Sequence, residues 1–185
     1  MAGVKRTTIL LLSGSTRAGS TNSAALRTIH RLAPPNLRTI LYEGLVHLPA
    51  FVPDIDDSAA PAAVQELRQQ IDGADALLIS TPEYAGTLPG SLKNLIDWTI
   101  PTGDLYHKPV AWLNVAAPGR GAGVIDTLNI VLGFATAEII EAACRSVFVG
   151  RQALGEDGLV ADPGIRAALL NVLMRIAEHV QAGQA

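Results

Sequence analysis

Short, wholly apolar runs alternate along this chain with longer segments whose apolar residues recur at helical spacing, and nothing else constrains the fold as much. Ile9 to Leu12, Ala76 to Ser80 and Val110 to Val115 lack the polar alternation of a half-exposed strand. They read as strands buried on both faces, as in a parallel sheet with helices on either side. Each is followed by a small, polar or glycine-rich loop and then a helical pattern. Such order implies right-handed βαβ units, hence an α/β fold. A flavodoxin-like three-layer sandwich, with a five-stranded parallel sheet of order 2-1-3-4-5, accommodates the number of strands.

Along the chain, a first helix is expected from about Ser23 to Leu32, capped by Asn22 and ended by Pro34-Pro35. Leu37 to Leu41 is a second strand, and Leu45 to Ile55 an irregular connection broken by Pro49 and Pro53. A helix beginning at Ala60-Pro61 buries Val64, Leu67, Ile71 and Ala74 and turns Gln65, Glu66, Arg68 and Gln69 to water. Further helices are expected at Ser91–Trp98 and Val124–Leu132, the second ending at Gly133. Two stretches, Ala137 to Ile140 and Val147 to Val149, each qualify as the fifth strand. Asp162-Pro163 opens a last helix with an apolar stripe of Ile165, Leu169, Val172, Leu173, Ile176 and Val180. All 185 residues fit one domain.

In such a sheet a ligand sits beyond the strand carboxyl ends, where the strand order reverses. Three loops meet there: Ser13–Thr21, Thr81–Gly90 and Ala116–Gly123. The first is a strand, small-residue loop and helix N-terminus. Its unpaired N–H groups and helix dipole favour an anion, and Arg17 adds a charge. The same residues also fit an ordinary strand-to-helix turn. Gly14 to Thr21 follows a Walker A spacing, but Ser20 stands where the phosphate-binding lysine would be. Thr16 occupies the second glycine position of a dinucleotide fingerprint. A compact terminal monophosphate suits the loop better than a triphosphate or pyrophosphate.

Composition narrows the function. A net charge of −3 gives no general attraction to nucleic acid or to an anionic membrane. No run approaches the ~20 apolar residues of a membrane span. Cys144 has no cysteine to pair with, so a reducing, cytoplasmic setting is expected, with the thiol buried and inert. His30, His47, His107 and His179 lack metal-ligand spacing, and no G-x-S-x-G elbow marks a hydrolase. A hydrophobic content of 49% with many small residues suggests a subunit interface.

Gly14-Ser-Thr-Arg-Ala-Gly-Ser-Thr-Asn22 resembles the G-S-x-R-x-x-S-x-N loop of the NADPH-dependent FMN reductase family. Thr81-Pro-Glu-Tyr84, Pro89-Gly90, Leu92-Lys-Asn94 and Asp97-Trp98 resemble its P-E-Y-N…P-G-x-L-K-N-x-I-D-W segment. The resemblance implies a flavodoxin-like domain holding FMN, with NADPH or NADH as hydride donor and a flavin, quinone or similar small molecule as acceptor. It also implies a homodimer or homotetramer. By the same resemblance, Ser15, Arg17, Ser20, Asn22 and the adjoining Ser23 hold the phosphate. Pro82, Glu83, Tyr84, Ala85 and Gly86 border the isoalloxazine, and Pro118 and Gly119 belong to a third loop near the ring. No side chain is assigned a catalytic role, because hydride transfer is the cofactor's chemistry.

Ala85 departs from the family's asparagine, so donors to the ring there are expected from peptide N–H groups. The Lys93–Trp98 part is expected to fix its helix by packing and hydrogen bonds. Arg120 is either a contact for a nicotinamide-nucleotide phosphate or a solvated loop arginine. The alternative to a reductase is a non-enzymatic flavin-binding protein or flavodoxin-like electron carrier.

Overall fold

A computed structural model describes residues 6–183. The elements are β1 (Thr7–Ser13), α1 (Thr21–Leu32), β2 (Leu37–Tyr42), α2 (Ala62–Asp72), β3 (Ala76–Ser80), α3 (Gly90–Thr99), β4 (Pro109–Asn114), α4 (Ala122–Phe134), β5 (Glu138–Ile139), β6 (Arg145–Ser146) and α5 (Pro163–Gly183). The sheet is parallel in the order β2-β1-β3-β4-β5, with β6 also on β4. This is the expected flavodoxin-like order.

The apolar runs are central because both of their faces are covered. Ile9 and Leu11 pack with α1 and α5, while Leu10 and Leu12 pack with α2, α3 and α4. All four are fully buried.

The first candidate for the fifth strand contains β5; the second, Val147–Val149, is not itself a strand but directly follows one, β6, at the same sheet position. β5 pairs with the start of β4, at Pro109 and Val110, and β6 with its end, at Leu113 and Asn114. The pairing continues past β6, where Val147 N–H donates to Asn114 O at 2.8 Å. A turn over residues 141–144 separates the halves. It leaves the Trp112 N–H opposite a gap, and Cys144 Sγ accepts from it at 3.5 Å. Burial pushes the Cys144 thiol above its ordinary pKa. The sulfur thus replaces a missing ladder carbonyl, consistent with an inert thiol.

Several boundaries differ from the sequence reading. Ser20, not Asn22, caps α1, which starts at Thr21; Ser20 is extended and its Oγ accepts from Ser23 N–H at 3.4 Å. Gly133 lies inside α4, and the left-handed position after that helix falls on Thr136, with φ of 55°. Arg68 does not face water: its guanidinium is 3.2 Å from Asp57 and 3.5 Å from Asp104, with the side chain 12% exposed.

The Lys93–Trp98 segment holds the connection after β2. Asn94 accepts from Phe51 N–H and donates to Pro49 O, and Trp98 Nε1 donates to the same carbonyl. Phe51 meets the Trp98 ring edge-on at 5.1 Å. Tyr42, at the end of β2, buries a hydroxyl that has no partner among the described residues, and burial pushes its pKa up to about 12.

Candidate functional site

The three loops converge at the carboxyl edge of β1, β3 and β4. The first is pinned at its base, where Gly14 N–H donates to Ser80 O at 2.9 Å. A Cβ on Gly14 would lie 2.2 Å from Thr81 Oγ1, so only glycine lets the first two loops approach this closely. Ser13 and Ser23 hydroxyls share a hydrogen bond of 2.8 Å across the loop's root.

Above this base the loop offers donors. Ser15 and Arg17 N–H groups turn back to the Ser13 and Ser15 hydroxyls at 3.3 Å. The N–H groups of Thr16, Ala18, Gly19, Thr21 and Asn22 have no protein acceptor among the described residues. The last two belong to the first turn of α1, where the helix dipole adds positive potential. Arg17 is exposed and makes no ion pair among the described residues. Asn22 is 6% exposed; its Oδ1 accepts from Ser80 Oγ at 2.9 Å, and its Nδ2 has no acceptor among the described residues.

The second loop is built differently. Tyr84 and Thr87 exchange two backbone hydrogen bonds of 2.9 and 3.1 Å around Ala85 and Gly86. The φ angles of 50° and 77° give this turn the type I′ pattern, which Asn-Gly fits best. The family's asparagine therefore falls on a turn position, and Ala85 occupies it with a left-handed backbone that disfavours alanine. Glu83 Oε2 accepts from Val124 N–H at 3.3 Å, so its carboxylate caps α4. Thr87 Oγ1 donates to Thr127 Oγ1 at 3.1 Å. A Cβ on Gly123 would lie 2.2 Å from Gly86 O, which shows how tightly this hairpin seats on α4.

In the third loop Asn114 organises the backbone, donating to Arg120 O at 3.2 Å and accepting from Ala116 N–H at 3.0 Å.

Two depressions flank the first loop. A cleft of about 270 Å³ lies between all three loops, lined by Thr21, Asn22, Pro82, Glu83, Arg120 and Gly121 among others. A groove of about 220 Å³ on the opposite flank, toward β2, is lined by Ser15, Arg17, Ser23 and the apolar Leu26, Leu41 and Leu45 among others. Of the residues named from sequence, Asn22, Pro82 and Glu83 thus face the cleft, and Ser15, Arg17 and Ser23 the groove. Ser20 is buried as the α1 cap. Tyr84, Ala85 and Gly86 form an exposed hairpin beyond the cleft lining, and Pro118 and Gly119 stand exposed at the tip of the third loop. Thr21, Ala116 and Gly121, not named from sequence, line the cleft. Among the described residues no cluster of His, Cys, Asp or Glu could hold a metal ion.

A donor-rich loop at a helix N-terminus, beside a cleft at the sheet's switch point, belongs to a flavodoxin-like fold. Residues 7–147 match the family model described as NADPH-dependent FMN reductase, and the chain belongs to that family. It is 41% identical over 111 residues to an NAD(P)H-dependent FMN reductase of Pseudomonas aeruginosa, covering 59% of this chain and 60% of that protein. A quinone reductase of Escherichia coli is 37% identical over 105 residues, or 55% of this chain and 56% of its own length. The chain thus spans less than two thirds of these curated relatives. The structure of FerB, a flavoenzyme NAD(P)H:(acceptor) oxidoreductase from Paracoccus denitrificans, superposes with a TM-score of 0.78 at 27% identity, covering 94% of this chain and 98% of that one.

Proposed function

We propose that the protein is an FMN-dependent NAD(P)H oxidoreductase that passes electrons to a flavin, quinone or similar small acceptor. The observation that carries this reading is the arc of N–H groups at Thr16, Ala18, Gly19, Thr21 and Asn22 that have no acceptor among the described residues, with Arg17 beside it. Such a cradle suits the doubly charged phosphate of FMN, and no carboxylate lies within the loop to oppose it.

Ser15, Arg17, Asn22 and Ser23 flank the arc, and Ser20 holds the helix turn that presents it. Pro82, Glu83 and Gly86 supply the platform for the ring, with Tyr84 and Ala85 at its outer end. Ala116, Pro118, Gly119 and Arg120 border it from the third loop. Bound FMN would accept a hydride from NADPH or NADH and return electrons to the acceptor. This chain's residues fix the flavin's phosphate, orient its ring against a rigid hairpin and keep one side of the cleft open to the second substrate.

No helix among the described residues is long and apolar enough to cross a membrane. A cytoplasmic homodimer or homotetramer completes the proposal.

The test is titration of the purified protein with FMN, then anaerobic addition of NADPH or NADH. Stoichiometric binding followed by bleaching of the flavin band at a catalytic rate supports the reading, as does reoxidation by a quinone. Binding without bleaching would reassign the protein as a carrier. No binding would remove FMN from the site.

A further inference from the structure

The groove on the β2 flank has no ligand in the proposed function, although it shares a wall with the donor loop. Thr16 and Ala18, whose N–H groups have no acceptor among the described residues, line the groove. Thr21 and Asn22, with open N–H groups of the same kind, line the cleft. The donors therefore run from one depression to the other, across Gly19, where even a Cβ would meet nothing within 4 Å. A terminal phosphate ends at such a loop. A pyrophosphate crosses it and carries the rest of the molecule to the far side.

Away from the loop the groove changes character. Its floor is apolar, with Leu26 and Leu45 buried and Leu41 half-buried. Val46, in the turn after β2, lines it while 58% exposed. Such a surface suits the flat face of a base. Glu43 directly follows β2, and Arg27 lies on α1 four residues after Ser23. Both line the groove, and neither makes an ion pair among the described residues. In dinucleotide-binding βαβ units a carboxylate at this distance beyond the first loop accepts from ribose hydroxyls. Arg27 joins Arg17 as a cation for phosphate oxygens.

At about 220 and 270 Å³, the groove and the cleft each fall short of the ~300–1,000 Å³ of a drug-sized ligand's pocket. Each suits one half of a dinucleotide better than the whole. Thr16 stands where a dinucleotide fingerprint has its second glycine, which lets the backbone approach the pyrophosphate. In the fold Thr16 is exposed with an open N–H, so the threonine leaves that stretch of backbone accessible.

We propose that the groove receives the adenosine monophosphate half of FAD, so that the protein binds this flavin dinucleotide as well as FMN. The flavin end takes the cleft, the pyrophosphate takes the open donors with Arg17, and the adenosine takes the groove beside Glu43 and Arg27. This assignment rests on the FMN reading for the cleft and the loop, and adds the groove to it.

The experiment titrates the apo full chain with FMN and with FAD by calorimetry, for the wild type, Arg27→Glu and Glu43→Ala. FAD is expected to bind about tenfold more tightly than FMN. Each variant should lower FAD affinity about tenfold and change FMN affinity less than about twofold. FAD binding no tighter than FMN refutes the groove and leaves the FMN reading standing. So do variants that leave FAD affinity unchanged or weaken both flavins alike. Failure of both flavins to bind refutes the FMN reading as well. Oxidised NADP carries the same adenosine phosphate chemistry, so it is titrated into the FMN-loaded protein. If the variants weaken NADP and spare FAD, the groove belongs to the hydride donor and the assignment to FAD falls. Should the variants fail to fold, wild-type protein with FAD bearing an azide on adenine C8 decides. Illumination should label residues 23–27 or 41–46, and labelling confined to other segments overturns the proposal.

Discussion

The first and second loops sit side by side at the sheet edge, meeting at Gly14 and Thr81, yet they differ in how firmly their side chains are tied to the rest of the protein. The first, over residues 14–20, hydrogen-bonds sparsely to itself and leaves N–H groups and the Arg17 guanidinium without partners among the described residues. The second, over residues 81–89, ties more of its groups to the protein, Tyr84 to Thr87, Thr87 to Thr127 and Glu83 to the α4 N-terminus, and leaves the N–H groups of Glu83, Ala85 and Gly86 without an acceptor among the described residues. Apart from the Ser20 cap, one loop keeps its side chains free of the neighbouring helices; the other is anchored to α4. Two motifs of similar composition therefore act differently, and the difference lies in where their hydrogen bonds end.

Substitution at the shared base should have the largest effect. Gly14→Val puts a branched side chain where even a Cβ meets Thr81 at 2.2 Å. The loops must separate, at a cost of about 3 kcal/mol in stability, and FMN binding should fall with it. Urea melts and flavin titration check both. Near wild-type stability would show that the junction is soft and the contrast between the loops overstated.

Arg17→Ala comes next and should act on binding alone. Loss of a charge-assisted contact weakens FMN by ~1.5–3 kcal/mol. The apo-protein's melting temperature should not change, because Arg17 is exposed without a partner among the described residues. Unchanged FMN affinity would remove Arg17 from the phosphate site.

Glu83→Ala should do the reverse. Removing the α4 cap costs about 1 kcal/mol of stability even without ligand, and FMN affinity falls only as far as the hairpin loosens. Apo-protein melts compared with Arg17→Ala separate the two roles. An unchanged melt with lost binding would make Glu83 a flavin contact and erase the distinction.

Ala85→Asn has the smallest expected effect. Asparagine tolerates the left-handed conformation that alanine resists, so the hairpin should gain a few tenths to about 1 kcal/mol. A gain in stability with unchanged acceptor preference supports a turn role for this position. Altered flavin potential without a stability gain would mean the side chain acts on the ring.

Much of this was legible in the residues. Apolar runs such as Ile9–Leu12 specify strands covered on both faces, because no half-exposed strand tolerates them. Their alternation with helical stripes then leaves few topologies. The order of glycine, serine and threonine after β1 marks a loop of open backbone donors, since small residues next to a helix start expose N–H groups whatever lies further along the chain. The split fifth strand was visible only as two candidates. Neither segment shows by itself that a turn between them is bridged by a sulfur from Cys144 to Trp112.

The tertiary structure decided what depends on contacts distant in sequence. Ser20 and Asn22 are both good caps in isolation. Asn22 loses that role because Ser80, 58 residues away, donates to its side chain, and the chain is already helical at Thr21. Glu83 lines the cleft, but its carboxylate also accepts from α4, whose Val124 N–H arrives from 41 positions later. Sequence periodicity reports the burial of a residue relative to its own element. The destination of a polar side chain is set by which other element arrives beside it, and that follows only once the sheet has brought the loops together.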